Sequence, residues 1–171
     1  MAIYLPTIRN YAPFYIQREA DSSAIDIRTT YGVIIMVHEY PSKRKVKTPY
    51  KNDWKDRDGD DEWNNVLQYE AFDIKAKCVI FTQDPDSDAA RSELRTAVWA
   101  FQESIRDGEF KIYDSWTKYG FQKVRLDEFQ EIGDGDFDER FGRCRLIFTI
   151  SFKVNDPITR MTLSDGSIVE V

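Results

Sequence analysis

Two stretches far apart in the chain alternate between apolar and polar residues, and this limits the fold more than any other feature. In residues 69–81, Phe72, Ile74, Ala76, Cys78 and Ile80 fall on one side and Asp73, Lys75 and Lys77 on the other. Residues 143–154 repeat the pattern. There Cys144, Leu146, Phe148, Ile150 and Phe152 oppose Arg143, Arg145, Thr149, Ser151 and Lys153. A period of two is that of a half-buried antiparallel strand. Between them, residues 87–107 place Ala90, Leu94, Ala97, Val98, Phe101 and Ile105 on one helical stripe. Asp86, Ser87 or Asp88 can cap this helix, and Gly108 suits its end. Such a stripe packs on a sheet. Phe72, Ile74, Leu94, Val98, Phe101, Leu146, Phe148 and Ile150 are therefore expected to share one core.

Other elements follow from weaker signals. Residues 25–28 alternate and read as a short strand. Residues 33–40 are apolar and β-branched, and read as a strand buried on both faces, ended by Pro41. Short strands are expected at 110–113 and 121–126, and a loop at Gly133-Asp134-Gly135-Asp136. The helix enters after a run of strands, which disfavours a parallel α/β sheet. The expected class is α+β, mainly antiparallel β: a two-sheet sandwich or partly closed barrel with one packed α-helix. One domain spans 1–171, with an irregular aromatic arm at 1–24, a long charged loop at 41–65 and a hairpin at 159–171 turning at Ser164-Asp165-Gly166.

Composition weakens most catalytic readings. The chain holds two cysteines and one histidine, too few for the usual four-ligand zinc site. Cys78 and Cys144 read as buried thiols of a reducing compartment. His38 reads as a surface or interface residue. The acidic run 56–62 puts glycine at the wrong position for a calcium loop, and the acids from Asp134 onward fail the same pattern. No nucleophile elbow, Walker A loop or dinucleotide-binding glycine pattern occurs. No enzyme activity, cofactor or metal is expected. The net charge of −6 argues against a sequence-reading nucleic-acid binder. No apolar run is long enough for a membrane helix, and the N-terminus shows no signal-peptide pattern.

The long loop carries the most distinctive charge pattern. It begins basic, with Lys43, Arg44, Lys45 and Lys47, and turns acidic, with Asp56, Asp58, Asp60 and Asp61, flanked by Trp54 and Trp63. A basic block and an acidic block on one loop suit contact between repeated subunits, so these ten residues are the candidate interface. A rival reading makes the chain a monomeric carbohydrate-binding module stacking sugar on Trp54, Trp63 and Trp116.

From Trp54 onward several patterns occur in a familiar order. Asp58-Gly59 precedes further acids and then the strand Tyr69-Glu70-Ala71-Phe72-Asp73-Ile74. A helix ends in Asp107-Gly108, followed by Phe110-Lys111-Ile112-Tyr113-Asp114. A last strand runs into Phe152-Lys153-Val154-Asn155-Asp156-Pro157. Over about residues 54–157 this resembles the ring-forming N-terminal domain of the distal tail proteins of tailed phages, which share a fold with tail tube and tail terminator subunits. Two features depart from that family. Only about fourteen residues follow Pro157, where those proteins commonly carry a second domain, and the loop before Trp54 resembles that of tube subunits. The resemblance implies a structural virion protein, assembled in the host cytoplasm. It implies copies that associate into a hexameric ring, meet other tail proteins and surround DNA without reading its sequence. It implies a distal tail or baseplate-adaptor position first, and a tube or terminator subunit second. An acidic lumen would keep DNA from sticking.

Overall fold

The computed structural model describes residues 5, 11–41, 45–47, 50–52, 61–63, 69–82, 88–138 and 142–171. Seven strands form one antiparallel sheet. In chain order they are β1 (Phe14–Arg18), β2 (Ile25–Asp26), β3 (Ile34–Glu39), β6 (Phe72–Phe81), β7 (Phe110–Asp114), β8 (Tyr119–Asp138) and β9 (Arg143–Val154). Their order across the sheet is β2-β1-β7-β8-β9-β6-β3. Two small hairpins pair β4 (Tyr50–Asn52) with β5 (Asp61–Trp63), and β10 (Met161–Ser164) with β11 (Ser167–Glu170). Two helices complete the described structure, α1 (Ile27–Tyr31) and α2 (Asp88–Arg106).

The two alternating stretches lie side by side at the centre, with Ile74 opposite Phe152 and Cys78 opposite Phe148. Their apolar faces and the α2 stripe meet in one core, in which Phe101 and Phe148 are fully buried. Seven of the eight expected core residues are buried there, and Phe72 packs against them partly exposed. Cys78 and Cys144 are buried and form no disulfide, and burial pushes the Cys78 thiol well above the usual thiol range.

The mainly antiparallel α+β class is as expected, and of its two forms the single curled sheet matches the partly closed barrel. Tyr40, just after β3, reaches Asp114 at the end of β7. Four strand spacings separate β3 from β7, about 19 Å in a flat sheet. A hydrogen bond between them requires the sheet to curl. Phe14 of β1 likewise stacks on Phe152 of β9 across the concave side.

Four local expectations are corrected. Residues 14–18 form β1 rather than irregular chain. Their alternation is hidden because the β10–β11 hairpin covers the second face, where the Gln17 side-chain Oε1 accepts from the Ile168 amide at 2.6 Å. Of residues 25–28, 25–26 form β2 as expected but 27–28 begin α1 rather than continuing the strand: the Asp26 carboxylate accepts from Arg28 N and the Thr29 hydroxyl, and Gly32 closes the helix at φ 72°. Strand β3 is not buried on both faces, because it is the outermost strand; Ile34 is buried, but Met36 and Val37 are exposed. The Gly133–Asp136 segment continues β8, with a register shift between Ile132 and Asp136, because β9 pairs on both sides of it and the excess is taken up as a bulge.

Candidate assembly surfaces

Of the sheet's two outer strands, β2 has two residues and β3 six, so β3 is the longer open edge. It pairs with β6, and the register shifts between Ile35 and Val37, leaving Met36 unpaired in the ladder. Met36 is 43% and Val37 54% exposed. An edge strand that shows apolar side chains and unpaired backbone is a template for another strand, and such edges are usually blunted by charge or proline.

Behind this edge lies a buried carboxylate. Asp114 is 2% exposed, and four groups converge on it. Its Oδ1 accepts from Trp116 N at 2.9 Å, and its Oδ2 from the Thr117 hydroxyl at 2.7 Å and the Tyr40 hydroxyl at 2.9 Å. His38 Nε2 stands 3.5 Å from Oδ2. The first two bonds shape the β7–β8 turn, in the manner of an aspartate that precedes a turn. The third ties the turn to the far edge of the sheet. Burial, then the Asp114 charge, then the Asp114 hydrogen bond raise the Tyr40 hydroxyl well above the usual phenol range. His38 beside a carboxylate has the outline of an oriented base. A triad needs a nucleophile on the other ring nitrogen, and among the described residues His38 Nδ1 is buried with no partner. The hydrogen bonds to Asp114 clamp the turn to the segment after β3, and His38 sits partly buried on that outer strand.

A cleft of about 370 Å³ opens between the two sheet edges, lined by Tyr11, Phe14, Ile27, Ile35, His38 and Trp116 among others. Trp116 stands at it 67% exposed. Of the three tryptophans weighed for sugar stacking, Trp116 is thus exposed. Trp54 lies outside the described residues, and Trp63 is placed only as a member of β5, opposite Tyr50.

The candidate interface residues are described in part. Lys43, Arg44, Asp56, Asp58 and Asp60 lie outside the described residues. Lys45 and Lys47 are exposed and flank Val46, which bridges to Tyr69, and the Lys45 carbonyl accepts from Glu70 N at 2.8 Å. Asp61 belongs to β5, opposite Asn52. The base of the long loop is therefore held beside the start of β6. Sequence reasoning missed Tyr40, Asp114 and Met36. An Asp followed three residues later by Thr is a turn signal that marks Asp114; nothing local marks its partnership with Tyr40.

No protein-family model matches the chain, and no curated protein matches it. Among solved structures, it is similar to the crystal structure of SPP1 Dit (gp 19.1), described as a paradigm of the hub adsorption apparatus in phages infecting Gram-positive bacteria. The TM-score is 0.53 at 16% identity, covering 88% of this chain and 52% of that one. The chain therefore spans about half of SPP1 Dit, and over that span the two share a fold.

Proposed function

We propose that this chain is a structural subunit of a phage tail, at the distal tail or baseplate-adaptor position, whose copies close into a ring around the DNA channel. The ring is hexameric by resemblance. The observation that carries this reading is the fold shared with SPP1 Dit over 88% of the chain. The open β3 edge, with Met36 and Val37 exposed, supports association through strands. The charged loop is the second contact: Lys43, Arg44, Lys45 and Lys47 face an acidic surface of the next copy, with Trp54 and Trp63 as anchors. Other tail proteins bind the faces of the ring, and DNA passes through without base-specific contact. Buried cysteines that form no disulfide suit assembly in a reducing cytoplasm before the virion is released.

The wall of the channel calls for one revision. The central sheet face away from α2 carries Lys75, Lys77 and Lys153 as well as Asp73 and Glu128, with Asp73 opposite Lys153 and Lys153 opposite Arg125. That face is mixed in charge, so an acidic lining of the channel is assigned to other surfaces. Negative-stain imaging of the purified chain tests the proposal. Closed rings with a central opening are expected as concentration rises, and single copies at every concentration would overturn it.

A further inference from the structure

A second cleft, of about 620 Å³, lies on the other side of Tyr40, between the β7–β8 turn and the C-terminal hairpin. Four aromatic rings build its wall. Tyr40 and Tyr119 meet edge to face at 5.2 Å, and Phe72 and Phe121 do the same at 5.3 Å. Tyr119 and Phe121 join the two pairs at 6.3 Å. Each ring is held by its neighbours, so the surface is preorganised, yet Tyr119 is 52% exposed. Lys118 and Arg160 also line the cleft beside Val171, the last residue of the sequence, and no Asp or Glu side chain lines it. This is notable in a chain with 30 acids and 24 bases. Neither cation has an ion pair among the described residues, whereas Arg91, Arg106 and Arg145 do. Thr162 adds a hydroxyl.

Lys118 has φ 60°, in the left-handed region where glycine is favoured. A glycine would shape this turn with less strain, and lysine there puts its ammonium group at the cleft. Lys123 and Asp165 adopt the same left-handed backbone outside the cleft lining, so the site rests on its rings and cations.

The geometry points to a binding site for an anionic saccharide, independent of the ring proposed above. The apolar face of a sugar ring stacks on Tyr119, and a carboxylate or phosphate on the sugar meets Lys118 and Arg160. A nucleic-acid strand fits less well. Edge-to-face rings make a stepped surface rather than a flat platform for successive bases.

Calorimetric titration with trigalacturonate tests this, with maltotriose, hexaglutamate and a short oligothymidylate as controls. Trigalacturonate should bind most tightly, and more weakly as salt rises. Tyr119→Ala should weaken binding about tenfold, while Tyr119→Phe retains it. Lys118→Gly and Arg160→Gln should each weaken it about fivefold, and Lys118→Gly should melt no lower than the parent chain. Absence of binding at millimolar trigalacturonate, or equal binding by Tyr119→Ala, overturns the site. Maltotriose binding as tightly overturns the role of the cations. Hexaglutamate or oligothymidylate binding as tightly overturns the saccharide assignment.

Discussion

The Tyr40 hydroxyl donates to Asp114 Oδ2 across 2.9 Å, joining residues 74 apart in the chain. It links the segment leaving the sheet's outer strand to a hairpin turn four strands away, and so holds the curl of the barrel. Tyr40→Phe removes this donor while Thr117 and Trp116 still serve the carboxylate. A loss of about 1–2 kcal/mol in urea unfolding is expected. A loss near zero would mean that aromatic packing alone keeps the seam.

Gly120 is required by a close approach, not by an unusual backbone angle. A Cβ there would stand 2.3 Å from the Met161 carbonyl oxygen. Gly120→Ala must push β10 away from β8 and should cost about 1–3 kcal/mol. Thermal melting reads the loss, and faster amide exchange in β10 locates it. A variant as stable as the parent would place the hairpin less tightly than described.

Asp156 sets part of the acid response. Burial opposes its ionisation, but the Thr159 amide, the Gln122 side chain, the Thr159 hydroxyl and the Ile158 amide outweigh that and bring its carboxyl down to about 2. An unfolded aspartate titrates near ~3.9. The stabilisation is therefore complete above about pH 4 to 5 and is lost as pH falls towards about 2. Asp156 is partly exposed, so screening limits its share to about 1 kcal/mol or less. Asp156→Asn should flatten the stability curve between about pH 4 and 2. An unchanged slope would assign the response to other acids.

Reversing Lys43, Arg44, Lys45 and Lys47 to Glu should leave the subunit folded and impair assembly. Exposed pairs are weak singly, about 0–1 kcal/mol, so four are changed together. The defect should grow at low salt, where repulsion is least screened. Equal assembly by this variant, at equal protein concentration, would make the loop a solvated surface.

The central elements were legible because one-sided burial writes a period into the sequence. Strand β6 buries one face as far as Cys78, β9 buries mainly one face and α2 one stripe, so all three announced themselves, although Val79 and Phe81 are also buried on the second face of β6, beside Ile34. Strand β1 did not, since Phe14, Ile16 and Gln17 are all buried once the C-terminal hairpin covers it. Strand β3 misled for the opposite reason: its apolar run suggested two buried faces, but its place at the sheet edge exposes Met36 and Val37. Helix α1 is too short for a period, and its caps, Asp26 and Gly32, were its signal. Of the candidate interface, charge and aromatic content were visible in sequence, while the clamp of Tyr40 on Asp114 depends on how far the sheet curls.

Sedimentation velocity of the parent chain beside Met36→Lys/Val37→Lys tests the account most directly. Lysine on an open edge blocks strand addition while leaving the core intact. The parent should sediment as a closed oligomer, and the variant as single copies with an unchanged melting midpoint. A parent chain that stays a single copy at every concentration, or a variant that assembles as the parent does, would contradict a ring closed through β3.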